Sequence, residues 1–321
     1  MKMNFTKYMM IMIIILTSMM AISSNIFMMS WMSMEINMIA FLPLMSKSMK
    51  MKDQLMKYFI IQSLASSMLL ISMLINSSNE TPVSSSIMLL SSLMMKMGLM
   101  PMHIWMPMIM NSMSWENCII MTTIQKIIPI TLTTQLSSMK MMYMPMIISL
   151  IMAPINAITH LSMKKIMSFS SISNTPWMIN SLMNSKMQFS MFMMIYTTIT
   201  MMMMTKLKKM NIMFINQTNE LTKTQKTSML IMIMSMSGMP PTTGFLPKWL
   251  ILQTTVSISM SMSMSMIVSS IVSTFIYMKM MNINFMMNNT MKKTKKKKFF
   301  KTNDIAFNML GIPIMLVMKS I

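Results

Sequence analysis

The chain reads as an all-α integral membrane protein of about eleven transmembrane helices, two of them broken. Three observations carry that reading: few charges, repeated apolar runs of membrane length, and lysines held almost entirely in one set of intervening loops. Charged residues are 10% of the 321 and hydrophobic ones 54%, and much of the remainder is Ser and Thr, which a membrane helix tolerates. A hydrocarbon core about 30 Å thick takes roughly 20 apolar residues to cross as helix. Runs of that order follow one another with no stretch of soluble-domain length between them, which excludes an ordinary soluble domain.

Charges and clusters of Pro or Asn bound the expected crossings. The first, 8–22, is a Met/Ile/Leu run opened by Lys7, and 25–45 follows with almost no loop and ends before Lys47. The run 57–75 stops at the polar cluster Asn76–Asn79; 84–106 lies between Pro82 and Pro107; 116–136 runs from Glu116 to the polar stretch before Lys140. Next come 141–161, closed by Lys164 and Lys165; 166–183, closed by Asn184; and 188–205, closed by Lys206, Lys208 and Lys209. The segment 227–252 opens after Lys226, 254–278 ends at Lys279, and 303–318 is the shortest. The alternating Met-Ser run 257–266 has strand-like period two, but its apolar flanks favour helix in lipid, where an open strand leaves its backbone unpaired. The whole chain, 1–321, is expected to be one polytopic membrane domain.

Lysine placement tests this count independently. With eleven alternating crossings, 21 lysines fall on one side, including the run 292–301, and only Lys140, Lys186 and Lys319 on the other. By the positive-inside rule the rich side is the side of synthesis, so the N-terminus is expected there and the C-terminus opposite. The run 292–301 reads first as a solvated loop that fixes topology, with a phospholipid site, for cardiolipin, as the alternative.

Several function classes drop out. The net charge of +21 lies between apolar runs and forms no patch with interleaved aromatics, so nucleic acid is not an expected partner. A lone Cys118 excludes an internal disulfide or a thiolate-only metal site. His103 and His160 stand too far apart for a ligand motif, and no nucleotide-binding or metalloprotease motif occurs, so no cofactor and no metal is expected in this chain. The 67 Met, 4 Gly and complete preference for Lys over Arg fit an A+T-rich gene read by a code with an extra Met codon, as in animal mitochondria. The rich side is then the matrix. Lys2 and Lys7 precede a membrane run directly, with no Arg-rich, Ser-rich transit peptide expected.

Apart from charges in the first two residues of a span, four remain inside: Glu35, Lys96, Lys126 and Lys248. A charge at membrane depth costs on the order of 3 kcal/mol on insertion scales and is usually kept for pairing, relay or conduction. Lys248, near a segment end, has the alternative of reaching the interface. Lysine suits proton relay, because apolar surroundings favour its neutral form and a nearby carboxylate its charged form. Glu35 is the one acid away from the ends of the expected spans, and Lys96 is its expected partner. Two of the lysines adjoin breaks: Gly98 and Pro101 follow Lys96, and Gly238, Pro240, Pro241, Gly244 and Pro247 precede Lys248. Broken helices at membrane depth line protein or water, and a pair of them in two halves of a chain is a transporter signature.

Six stretches in order carry a family resemblance: WMSMEINMIAFLPL (31–44), KYFIIQSLAS (57–66), KMGLMPMHIWMP (96–107), TTIQKIIP (122–129), SSISNTPWM (170–178) and GMPPTTGFLPKW (238–249). They resemble successive blocks of the chain 2 family of the mitochondrial NADH:ubiquinone oxidoreductase, respiratory complex I, one of its antiporter-like subunits. Asn111 stands where relatives often carry an acid, Asn174 where they carry His, and Thr242 and Thr243 where larger apolar residues are usual. The resemblance implies an inverted repeat of two five-helix halves, with some N-terminal helices missing in animal versions. It implies that Glu35, Lys96, Lys126 and Lys248 form a proton-relaying axis in the mitochondrial inner membrane. It also implies that the redox cofactors (FMN, iron–sulfur clusters) and ubiquinone belong to partner subunits, and that the partners are the other membrane-arm subunits, antiporter-like chains among them. Two other readings stand beside it: a free-standing cation/proton antiporter, which the same charges suit, and a structural scaffold, which needs no intramembrane lysines.

Overall fold

The structure is a computed structural model that describes residues 5–24, 26–46, 52–78, 82–134, 139–221 and 223–286. The expected crossing 303–318, the lysine run 292–301 and Lys319 lie outside the described residues.

Thirteen α-helices and one 3-10 helix account for most of the described residues: α1 Phe5–Ser23, α2 Phe27–Met45, α3 Lys52–Ser78, α4 Pro82–Met97, α5 Trp105–Ser112, α6 Trp115–Thr122, α7 Ile124–Thr134, α8 Met139–Ile158, α9 Met163–Asn184, α10 Lys186–Met210, the 3-10 helix Ile215–Glu220, α11 Lys223–Ser237, α12 Phe245–Ile258 and α13 Met260–Met286. Five of these (α1, α2, α3, α10 and α13) are long and apolar enough to cross a membrane by themselves.

Composition explains how helices so rich in Ser hold together. The hydroxyls of Ser33, Ser72, Ser92, Ser149 and Ser171 each donate to the carbonyl three residues earlier, at 2.7–2.8 Å, so each polar group is satisfied within its own helix and buried at little cost. Large apolar side chains point outward instead: Leu16, Met19, Ile39, Leu74 and Ile271 are all exposed, as the lipid-facing surface of a membrane helix requires.

The chain divides into two compact units, 1–149 and 150–321, with α8 running across the division. In the first, α1 packs on α2 and α7, α3 on α4, and α2 and α4 each on α7. In the second, α9 packs on α10 and α12, α11 on α10 and α13, and α12 on α13.

Helix ends differ from the sequence expectation in several places. The expected break after Lys96 is present, α4 ending at Met97, but the helix that follows it, α5, runs on to Ser112, past the expected end at 106. The expected run 116–136 is interrupted at Thr123, where φ is −113° and ψ −82°, without any Gly or Pro; Ile119 O accepts the Thr123 backbone N–H and both the Thr122 and Thr123 hydroxyls there. The expected boundary near 253 lies at Ser259, an extended residue, with the Met-Ser run helical beyond it. Lysines read as loop residues are in helices: Lys164 in the first turn of α9, 6% exposed, and Lys206 near the end of α10, 3% exposed. Cations near a helix C-terminus offset the partial negative charge of its carbonyls, which lets α10 continue through Lys206, Lys208 and Lys209.

Candidate functional site

In the first unit, α4 carries Lys96 in its last turn and ends at Gly98. Gly98 has φ +68°, the left-handed region that a Cβ disfavours, and the turn closes with Gly98 N–H to Met95 O (3.3 Å) and Leu99 N–H to Met94 O (3.0 Å). The Trp105 indole N–H donates to Met95 O at 3.0 Å. The end of α4 is thus satisfied by a glycine turn and an indole, and the Met100–Pro101 peptide bond just beyond is cis. Lys96 Nζ donates to Glu35 Oε1 of α2 across 3.4 Å, with the Lys96 side chain 3% exposed and that of Glu35 21%. Tyr58 of α3 packs edge-on against Phe41 and is tilted against Trp105, which walls the pair off with aromatic rings.

Lys126 sits on α7, 3% exposed, just after the Thr123 interruption, and its backbone N–H donates to Thr123 O. Pro129 inside α7 has no N–H to give to the carbonyl of residue 125, so this short helix is weakened on both sides of Lys126. Lys96, Lys126, Tyr58, Gln62, Asn37 and Gln125 all line one cavity of about 30 Å³. A water needs roughly 10–15 Å³ of such space, so about two fit between the lysines. Gln125 Nε2 donates to Asn37 Oδ1 at 2.8 Å, while Asn37 Nδ2 meets no protein acceptor.

In the second unit, α11 ends at Gly238, φ +79°, with Gly238 N–H and Met239 N–H both directed to Met234 O. Thr242 Oγ1 reaches the same carbonyl at 3.3 Å, so one of the threonines that depart from the family pattern closes the broken end. Lys248 lies in the first turn of α12, half-buried, and turns its ammonium inward: Nζ donates to Ser237 O, the last carbonyl of α11, at 3.0 Å and lies 5.7 Å from the centroid of the Trp177 ring of α9. A Cβ on Gly238 would stand 3.0 Å from Lys248 Cδ and 3.2 Å from Nζ, so the bare glycine makes room for the lysine. Small cavities on both sides of Lys248 share Asn174 as a lining residue; Tyr277 lines one and Tyr196 the other.

The remaining candidates lie apart from these groups. His160 stacks on Phe169 at 5.3 Å beyond the end of α8, and partial burial together with Lys165 lowers its pKa below the usual imidazole value, which keeps it neutral near pH 7. Cys118 is buried, and no cluster of three or more His, Cys, Asp or Glu occurs among the described residues. Of the four intramembrane charges read from sequence, Glu35, Lys96 and Lys126 come together in the first unit and Lys248 stands in the second. Sequence reasoning missed Gln125, Asn37, the Thr123 interruption, Trp177 and the Ser237 carbonyl. Trp177 and Asn174 did lie within a recognised block, 170–178, a signal that this stretch faces the centre of the unit.

Known proteins share both sequence and fold with this chain. A family described as "NADH:quinone oxidoreductase/Mrp antiporter, TM" matches residues 23–276. NADH-ubiquinone oxidoreductase chain 2 of Locusta migratoria is 32% identical over 251 residues, 75% of this chain and 73% of that protein. The chain 2 protein of Anopheles gambiae is 27% identical over 322 residues, 93% of each. Among solved structures, a chain of respiratory complex I from Thermus thermophilus with bound aureothin superposes with a TM-score of 0.83 at 16% identity, covering 98% of this chain and 78% of that one.

Proposed function

This chain belongs to the NADH:quinone oxidoreductase/Mrp antiporter transmembrane family and, within it, to NADH-ubiquinone oxidoreductase chain 2, and we propose that it relays protons through Glu35, Lys96, Lys126 and Lys248. The observation that carries the reading is the Glu35–Lys96 pair at the end of a broken helix, sharing a water-sized cavity with Lys126. A lysine facing one carboxylate and a small polar cavity changes charge when its neighbour does. That is the property a relay needs. Lys248 supplies the corresponding group of the second unit, held at the second break. The chain acts as one polytopic domain in the membrane arm of complex I, beside other antiporter-like chains and phospholipid, while FMN, iron–sulfur clusters and ubiquinone are held by partner subunits.

Topology follows the lysines, with the N-terminus in the matrix of a mitochondrial inner-membrane protein. Three contacts support the alternation, each joining segments that the count assigns to one side: Lys7 with Glu116, the Ser162–Phe214 bridge, and Asn184 with Thr254. The free-standing antiporter reading is weakened by the match to chain 2 over most of its length.

Native electrophoresis of mildly solubilised inner membranes, with the chain detected by antibody and NADH dehydrogenase activity stained in the gel, tests membership of the complex. The chain is expected in the large active band. Migration alone, away from that band, gives the function to a separate antiporter.

A further inference from the structure

Lys96 lies just before one break and Lys248 just after the other, and they face different partners. Lys96 meets the Glu35 carboxylate, whereas among the described residues no carboxylate pairs with Lys248. The only acid described in the second unit is Glu220, at the end of the 3-10 helix. The ammonium of Lys248 instead has a helix-end carbonyl, Ser237 O at 3.0 Å, and the face of an indole that is 2% exposed, at 5.7 Å. A cation within about 6 Å of a tryptophan face is attracted by the ring quadrupole, most strongly when water is excluded. The last carbonyls of a helix carry partial negative charge that acts in the same direction. Gly238 leaves the space through which Lys248 reaches both.

We propose that the Trp177 indole face is the positioning element for Lys248 that Glu35 is for Lys96: it holds the ammonium against Ser237 O without a formal counter-charge. This rests on the reading of Lys248 as a relay lysine. A neutral partner holds a cation more loosely than a carboxylate does and keeps no charge of its own when the lysine gives up its proton. The two units therefore hold their lysines by different means, ionic in the first and cation–π in the second.

The test is a mutant cycle in the assembled complex, read as protons pumped per NADH and as coupled turnover: Trp177→Leu, Trp177→Phe, Lys248→Met and the Trp177 variants combined with Lys248→Met. Trp177→Leu is expected to lower coupled turnover about tenfold, between the scales of an exposed and a desolvated cation–π contact. Trp177→Phe, which keeps an aromatic face of weaker quadrupole, is expected to lose about two- to threefold. Neither is expected to lower turnover further in the Lys248→Met background. The assignment is overturned if Trp177→Phe is as damaging as Trp177→Leu, or if either lowers turnover by the same factor with and without Lys248. Should Trp177→Leu not assemble, the Trp177→Phe arm of the cycle decides alone. If Lys248→Met pumps and turns over normally, the relay reading fails and this assignment with it; if only the Trp177 variants are silent or additive, the relay reading stands without it.

Discussion

Replacing Glu35 with Gln removes the carboxylate that faces Lys96 and leaves its volume. At 3.4 Å, with the lysine side chain 3% exposed, the pair's attraction is roughly 5 kcal/mol at an effective dielectric constant of 20. Because 21% of the Glu35 side chain reaches the surface, the net cost of orphaning Lys96 falls toward the low end of the range for breaking a buried pair, about 3 kcal/mol. That is a hundredfold change in an equilibrium at about 1.4 kcal/mol per decade. Glu35→Gln should therefore lower both the amount of assembled complex and its pumping. The double variant Glu35→Gln with Lys96→Met carries no charge at the site, so assembly should recover toward wild type while pumping stays lost. Native gels measure the first quantity, and quenching of a pH-sensitive dye in sealed submitochondrial particles the second, normalised to assembled enzyme. Wild-type pumping in Glu35→Gln, or assembly losses that simply add in the double variant, would refute the reasoning.

Gly238→Ala forces a Cβ into the left-handed region, at about 1–2 kcal/mol, and against Lys248, so it should reduce coupled turnover in assembled complex. Gly244→Ala is more severe: its Cβ would stand 1.8 Å from Ser235 O, α11 and α12 must separate, and assembled complex on native gels should fall sharply. His160 has a folded pKa below its ordinary value, so its charge changes below about pH 6.5 and His160→Gln should leave the pH–turnover profile between pH 7 and 8 unchanged.

Much of the fold was legible because hydropathy and lysine counting act over whole segments. The pairing of Lys96 with Glu35 was legible by elimination, there being a single acid away from the ends of the expected spans. The interruption at Thr123 was not, because it uses neither Gly nor Pro; it depends on threonine hydroxyls taking up helix carbonyls and on Gln125 reaching Asn37. Lys164 and Lys206 were read as loop residues because hydropathy ends a helix at its first charge, whereas the helices run on and bury both lysines. Trp177 entered the sequence reading only as part of the block 170–178. Its relation to Lys248, 71 positions away, exists only once α9 packs on α12.

The most direct test of the relay is Lys126→Met, which removes the charge nearest the Thr123 interruption and replaces it with a side chain of similar length. Protons pumped per NADH oxidised, measured in sealed particles containing fully assembled variant complex, should fall, or coupled turnover should slow, with assembly intact. An assembled variant with an unchanged proton-to-NADH ratio and unchanged turnover would contradict the account.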